Sequence, residues 1–230
     1  MKFYESTSFF LRVIIVNYYS KILKKSIKLL PMFHIGETEY YKNMLSEADT
    51  CDLVLYEGVR LDKKRISMQI GRYTSLAEKL NLESQYHFFQ NNEFKTKTVH
   101  TDLDGIDAQR AWQNLKFKEK LKYRFINPIG FYIATHNITR QKLSKAFMTG
   151  AEEANLAYGP IEEEGNLEHL TNTVRDNIVT KKISEILKSN DYDQIGVMFG
   201  AGHMKEIKKY LTQEFDFKLE DSKFAIVYHL

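Results

Sequence analysis

Met198-Phe199-Gly200-Ala201-Gly202-His203 is an apolar run that ends on small residues and a histidine, and helix-like spacing begins immediately after it at Met204. A strand that stops on Gly-Ala-Gly delivers His203 to the edge of a sheet, where chemistry can be done. Its counterpart lies near the other end of the chain. There Ile27 to Phe33 is again apolar, His34 closes the run, and Gly36-Glu37-Thr38-Glu39 opens a helix. Two histidines in the same position relative to a strand and a following helix predict one site.

Working outward, the period of the apolar residues predicts a strand over Ser26 to Phe33, a helix over Thr38 to Asp49 and a strand over Asp52 to Tyr56. A helix from about Lys63 to Leu80 and a strand over Thr96 to Val99 follow. Phe9 to Tyr19 is β-branched and aromatic. With Lys24-Lys25 as a turn, it pairs with Ser26 to Phe33 as a hairpin. The chain then changes character, because Asp107 to Tyr123, Gly130 to Met148 and Leu167 to Lys188 all have helical spacing. Asn127-Pro128, Gly150 and the acidic loop Gly159 to Gly165 mark the breaks. The sheet resumes with Gln194 to Phe199, a helix over Met204 to Glu214 and a closing strand over Lys223 to Tyr228. Strands alternating with helices predict an α/β fold in one domain spanning residues 1–230, with a central, mainly parallel sheet flanked by helices and a helical insertion at about 105–190.

Composition narrows the partners. The 33 Lys+Arg are interspersed among 30 Asp+Glu, leaving +3, so no basic face argues for nucleic acid. At 230 residues with 43% hydrophobic content the chain can bury a sizeable core. The single cysteine, Cys51, excludes an intrachain disulfide framework and fits a reducing compartment, so a cytoplasmic location is the expectation. Phe9 to Tyr19 carries Arg12 and is too short to span a bilayer, so no membrane span is expected.

In parallel sheets ligands sit beyond the carboxyl ends of the strands. The strand-end residues are therefore the candidates: His34, Glu57, His100 with Asp102 and Asp104, and His203. The positive end of a helix beside His34 and His203 would lower their pKa and keep a lone pair available. Glu57 follows Leu53-Val54-Leu55-Tyr56, and a carboxylate so close to a buried strand must be paired or coordinated. Arg60 and Arg175 are its candidate ion-pair partners. Asp104 reads as a helix cap, and Glu37 and Glu39 as favourable charge in a first helical turn. Arg175 and Asn177 can reach back from a helix, the guanidinium being suited to an oxyanion. His87, His136, His169 and His229 read as structural or exposed. There is no Walker-type loop, no Gly-x-Gly-x-x-Gly after the first strand, no Gly-x-Ser-x-Gly elbow and no His-Glu-x-x-His. What remains is hydrolysis by an activated water, or ligand capture.

Met32-Phe33-His34, Leu55-Tyr56-Glu57-Gly58-Val59, Val174-Arg175-Asp176-Asn177 and Gly200-Ala201-Gly202-His203 follow one another in an order that resembles the TraB/TIKI-like group, related to the erythromycin esterases and the ChaN-like haem-binding proteins. The resemblance covers residues 26–230 and is weakest in the helical middle. The chain departs from the paired Gly-x-x-His of that group, because Pro31 stands three residues before His34. The resemblance implies a site of His34, Glu57 and His203 with Arg175 and Asn177 in support, and in TIKI-type members a divalent-metal-dependent protease activity. The leading expectation is thus a hydrolase acting on an amide or ester of a peptide or small molecule. Its metal ligands would be His34, His203 and Glu57, and its catalytic residues Glu57, Arg175, Asn177, His100 and Asp102. Two histidines and a carboxylate would accept Mn, Co or Zn, any of which brings the pKa of bound water towards about 7. The alternatives are a metal-free esterase, and a non-catalytic protein that sequesters a peptide or haem. Substrate and oligomeric state are not legible in the chain.

Overall fold

The computed structural model describes residues 2–58, 71, 73–102, 113, 135–148, 174–189 and 191–230. The predicted helix at Asp107 to Tyr123, the acidic loop, Arg60, Asp104 and His169 lie outside the described residues, Gln113 apart.

The fold is α/β, as expected. Nine strands are described: β1 (Tyr4–Ser6), β2 (Phe10–Ser20), β3 (Lys25–Met32), β4 (Ile35–Gly36), β5 (Leu53–Tyr56), β6 (Glu83–Ser84), β7 (Lys97–His100), β8 (Gln194–Gly200) and β9 (Lys218–His229). Seven form one mixed sheet and β4 pairs with β6. In the large sheet β3, β8, β5 and β7 are parallel neighbours, while β2 runs against β3 and β9. β1 lies against the first half of β2, on the edge opposite β9. The β2–β3 hairpin turns through Lys24, whose φ of 55° is left-handed backbone.

The helices are α1 (Thr38–Ala48), the helical segment α2 at residues 73–79, α3 (Gln85–Asn91), α4 (Arg140–Met148), α5 (Arg175–Lys188) and α6 (Met204–Glu214). Apolar residues at helical spacing drive α1, α5 and α6 onto the sheet. Tyr40, Tyr41, Met44 and Ala48 of α1 pack with Leu30, Met32, Val54 and Met198 on one face. Val179, Ile183, Ile186 and Leu187 of α5, with Met204, Ile207 and Leu211 of α6, pack with Leu29, Leu53, Leu55, Val197 and Phe199 on the other.

Adjacent strands β3 and β8 thus send their following helices, α1 and α6, to opposite faces. Their carboxyl ends, where the two helices diverge, are the place where open α/β sheets bind ligands. Register aligns these ends: Met32 stands opposite Gly200, Tyr56 opposite Met198 and His100, and Ala201 N–H donates to Met32 O at 3.0 Å. Pro31 fits inside β3 because it lies past the last residue paired to β2, and its carbonyl accepts from Tyr40 Oη at 2.7 Å.

Candidate functional site

The two-residue period of β5 sets the direction of its last side chain. Leu53 and Leu55 point to the face covered by α5, so Glu57, one step beyond the strand, meets the first turn of that helix. There Glu57 Oε1 accepts from Arg175 Nη2, and Oε2 accepts from the Gly200 N–H at the end of β8. Arg175 also donates through Nε and Nη2 to the two oxygens of Asp102, each at 2.8 Å. This planar fork suits a guanidinium and would not suit a lysine. Asp102 is fully buried at its side chain, and Glu57 and Arg175 are 11% and 14% exposed. Asp102 additionally accepts from Gly58 N–H at 3.2 Å, while His100 Nε2 contacts Gly58 O, so both residues hold the turn that follows β5.

Gly200 is required here by close approach. A Cβ at that position would sit 3.0 Å from Glu57 Oε2 and 3.6 Å from His203 Cδ2. Such a Cβ would press on the carboxylate that accepts the Gly200 N–H.

Burial by itself would raise the Glu57 pKa. Arg175, His203, His34 and the Gly200 N–H outweigh it and hold the group down at about 2. His203, at the N-terminus of α6, has Nδ1 2.7 Å from Asp176 Oδ1. The helix end was expected to lower the pKa of this histidine; instead it is raised. Burial and Arg175 do push it down, but the hydrogen bond to Asp176 and the charges of Glu57 and Asp176 prevail. His34 is held differently, with Nδ1 3.0 Å from Gln85 Oε1 and its ring 4.7 Å from that of Tyr73.

The strand ends thus bring His34, Glu57 and His203 within electrostatic reach of one another, with Arg175, Asp102 and His100 around them. Asn177 stands elsewhere. It lines an open groove of about 420 Å³ with Thr180, Lys181, Ser184 and Tyr210 between α5 and α6. Two residues of the site escaped the sequence reading. Asp176 lies between Arg175 and Asn177, and consecutive residues in a first helical turn point in different directions, so Arg175 reaches Glu57 while Asp176 reaches His203. Gln85 had no signal beyond its place after Glu83-Ser84, because its partner is 51 residues away.

A divalent metal needs at least three protein ligands at a catalytic centre of this type. Among the described residues no three His, Cys, Asp or Glu side chains form a group that could hold a metal ion. His34, Glu57 and His203, the ligands expected of a metal centre, are not such a group. Among the described residues no helix is long and apolar enough to cross a membrane. No protein-family model, curated protein or solved structure matches the chain.

Proposed function

We propose that this chain is a hydrolase of the TraB/TIKI-like type that activates water against an ester or amide carbonyl by general acid–base catalysis. The observation that carries the proposal is the different tethering of two imidazoles at one edge of the sheet. His203 is held by a carboxylate and His34 by a neutral amide. A carboxylate partner favours the proton-carrying imidazole, and an amide partner brings no charge.

His34 takes the proton from water as the oxygen attacks the acyl carbon. The imidazolium of His203, favoured by Asp176 and Glu57, passes its proton to the leaving oxygen or nitrogen. Glu57 supplies fixed negative charge, and Arg175 and Asp102 hold it in place. Because Nε and Nη2 of Arg175 are committed to those carboxylates, Nη1 is the corner left to face a developing oxyanion. The order of motifs around His34, Glu57, Arg175 and His203 supports the family assignment, and the cytoplasm is the compartment proposed for a chain with one buried cysteine.

The test is turnover of a panel of acyl esters and a quenched peptide library by the full chain. Wild type is expected to hydrolyse at least one class. His34→Ala, His203→Ala and Asp176→Asn are expected to lose about 10²- to 10⁴-fold, the span that positioned proton transfer supplies. Turnover should survive exhaustive chelation. Loss on chelation with recovery on adding Mn, Co or Zn would replace this mechanism with the metal-dependent one. Wild-type rates in the histidine variants would overturn both. Absence of turnover together with a Soret band on haem titration, or a co-purified peptide in the mass spectrum, would make the protein a sequestering factor.

A further inference from the structure

We propose that Gln85 is a positioning residue, selecting the tautomer of His34 that carries its proton on Nδ1 and its lone pair on Nε2. The inference rests on the reading of His34 as the water-activating base and deepens it at the Gln85 amide that tethers the ring.

The chain holds residues 34 and 85 against each other twice. Through the backbone, Gln85 N–H donates to His34 O at 2.8 Å, continuing the small sheet in which Ile35 stands opposite Ser84 and Gly36 opposite Glu83. Through the side chains, the ring Nδ1 meets Gln85 Oε1 at 3.0 Å. Ser84 caps α3, its Oγ accepting from His87 N–H at 3.3 Å, which places Gln85 at the first helical position with its side chain beside the strand end.

On the other side, a Cβ at Gly36 would stand 2.8 Å from Tyr40 Cδ1 and 3.1 Å from the Val227 carbonyl. The backbone just after His34 is therefore fixed by close approach. The Tyr73 ring, tilted 44° to the imidazole, limits rotation of the histidine.

An amide oxygen only accepts, so the ring nitrogen facing it must donate. A neutral imidazole has one N–H, and Nε2 is left as the basic atom. Fixing the tautomer through the distal nitrogen is how outer partners prepare a histidine for proton transfer or ligation. A glutamine does this without adding a fourth carboxylate beside Glu57, Asp102 and Asp176.

The test is long-range proton–nitrogen correlation NMR of the full chain with labelled histidine, at a pH where the His34 ring is neutral. The His34 signals are assigned by their loss in His34→Gln. Wild type is expected to show the Nδ1–H form. Gln85→Leu is expected to lose it in favour of the Nε2–H form or a mixture, and Gln85→Glu, which keeps an acceptor oxygen, to retain it. An Nε2–H form in wild type, or an unchanged tautomer in Gln85→Leu, overturns the proposal. If Gln85→Leu fails to fold, the wild-type tautomer still decides. Turnover is read separately and is expected to fall about 10- to 100-fold in Gln85→Leu. A tautomer that follows Gln85 while turnover stays at the wild-type rate leaves this inference standing and removes His34 from the hydrolase mechanism.

Discussion

At the scale of single residues, the site is organised by the Arg175 guanidinium among carboxylates. Arg175 touches Glu57 and Asp102, both of which are almost wholly out of water, so neither carboxylate would be tolerated there uncompensated. Replacing it in Arg175→Met keeps the bulk and removes the charge. The expected loss at neutral pH is about 3 to 5 kcal/mol by urea unfolding, the usual consequence of leaving buried charge unpaired. The sign of the pH dependence follows from Glu57, whose pKa falls from the ordinary 4.5 to about 2 on folding. A depressed carboxylate contributes stability that is complete above its unfolded pKa and is lost as pH falls through the folded one. In wild type that contribution, of order 3 kcal/mol, should drain away between about pH 4.5 and pH 2. In Arg175→Met the Glu57 pKa rises, so the gap between variant and wild type should narrow on acidification. An equal gap at neutral and acid pH would mean that the ion pair does not set the Glu57 pKa.

At the scale of elements, strand ends do the placing. At the end of β8 a Cβ on Gly200 would crowd the Glu57 carboxylate, which Arg175 holds from the other side. Gly200→Ala is therefore expected to cost about 1 to 3 kcal/mol, the usual range for overpacking a filled site, and to raise the Glu57 pKa as its N–H bond lengthens. Thermal unfolding at neutral pH checks the first and a carboxylate titration by NMR the second; an unaltered midpoint and pKa would contradict the close approach. Elements whose apolar residues recur at a clear period were legible in the sequence. The α6 helix was predicted at its observed bounds, and the β2–β3 hairpin, α1, β5, β7 and β8 to within a residue or two. What escaped was structure without period. β1, β4 and β6 are two or three residues long, and the first part of β9 is exposed along its length, so Lys218 to Ser222 showed no alternation to read. The same division runs through the site. His34, Glu57 and His203 were visible because each closes an apolar run, whereas Gln85 and Asp176 are defined by partners 51 and 27 residues away. The direction of the His203 pKa was misread for that reason, since a helix end is local and Asp176 is not.

At the scale of the whole molecule, the termini of the fold are brought together by strand order. β8, late in the chain, inserts between β3 and β5, so a histidine at position 34 and another at 203 flank a glutamate at 57. The helices after β3 and β8 diverge to opposite faces. Everything proposed about activity depends on that convergence, and it can be measured without a substrate. The decisive measurement is the NMR titration of the His203 ring in wild type and in Glu57→Gln. If the two side chains share one pocket, removing the Glu57 charge withdraws one of the two carboxylates that favour the imidazolium, and the His203 pKa falls towards its ordinary value. An identical His203 titration in the two proteins would mean that residues 57 and 203 do not meet, and the site would have to be abandoned.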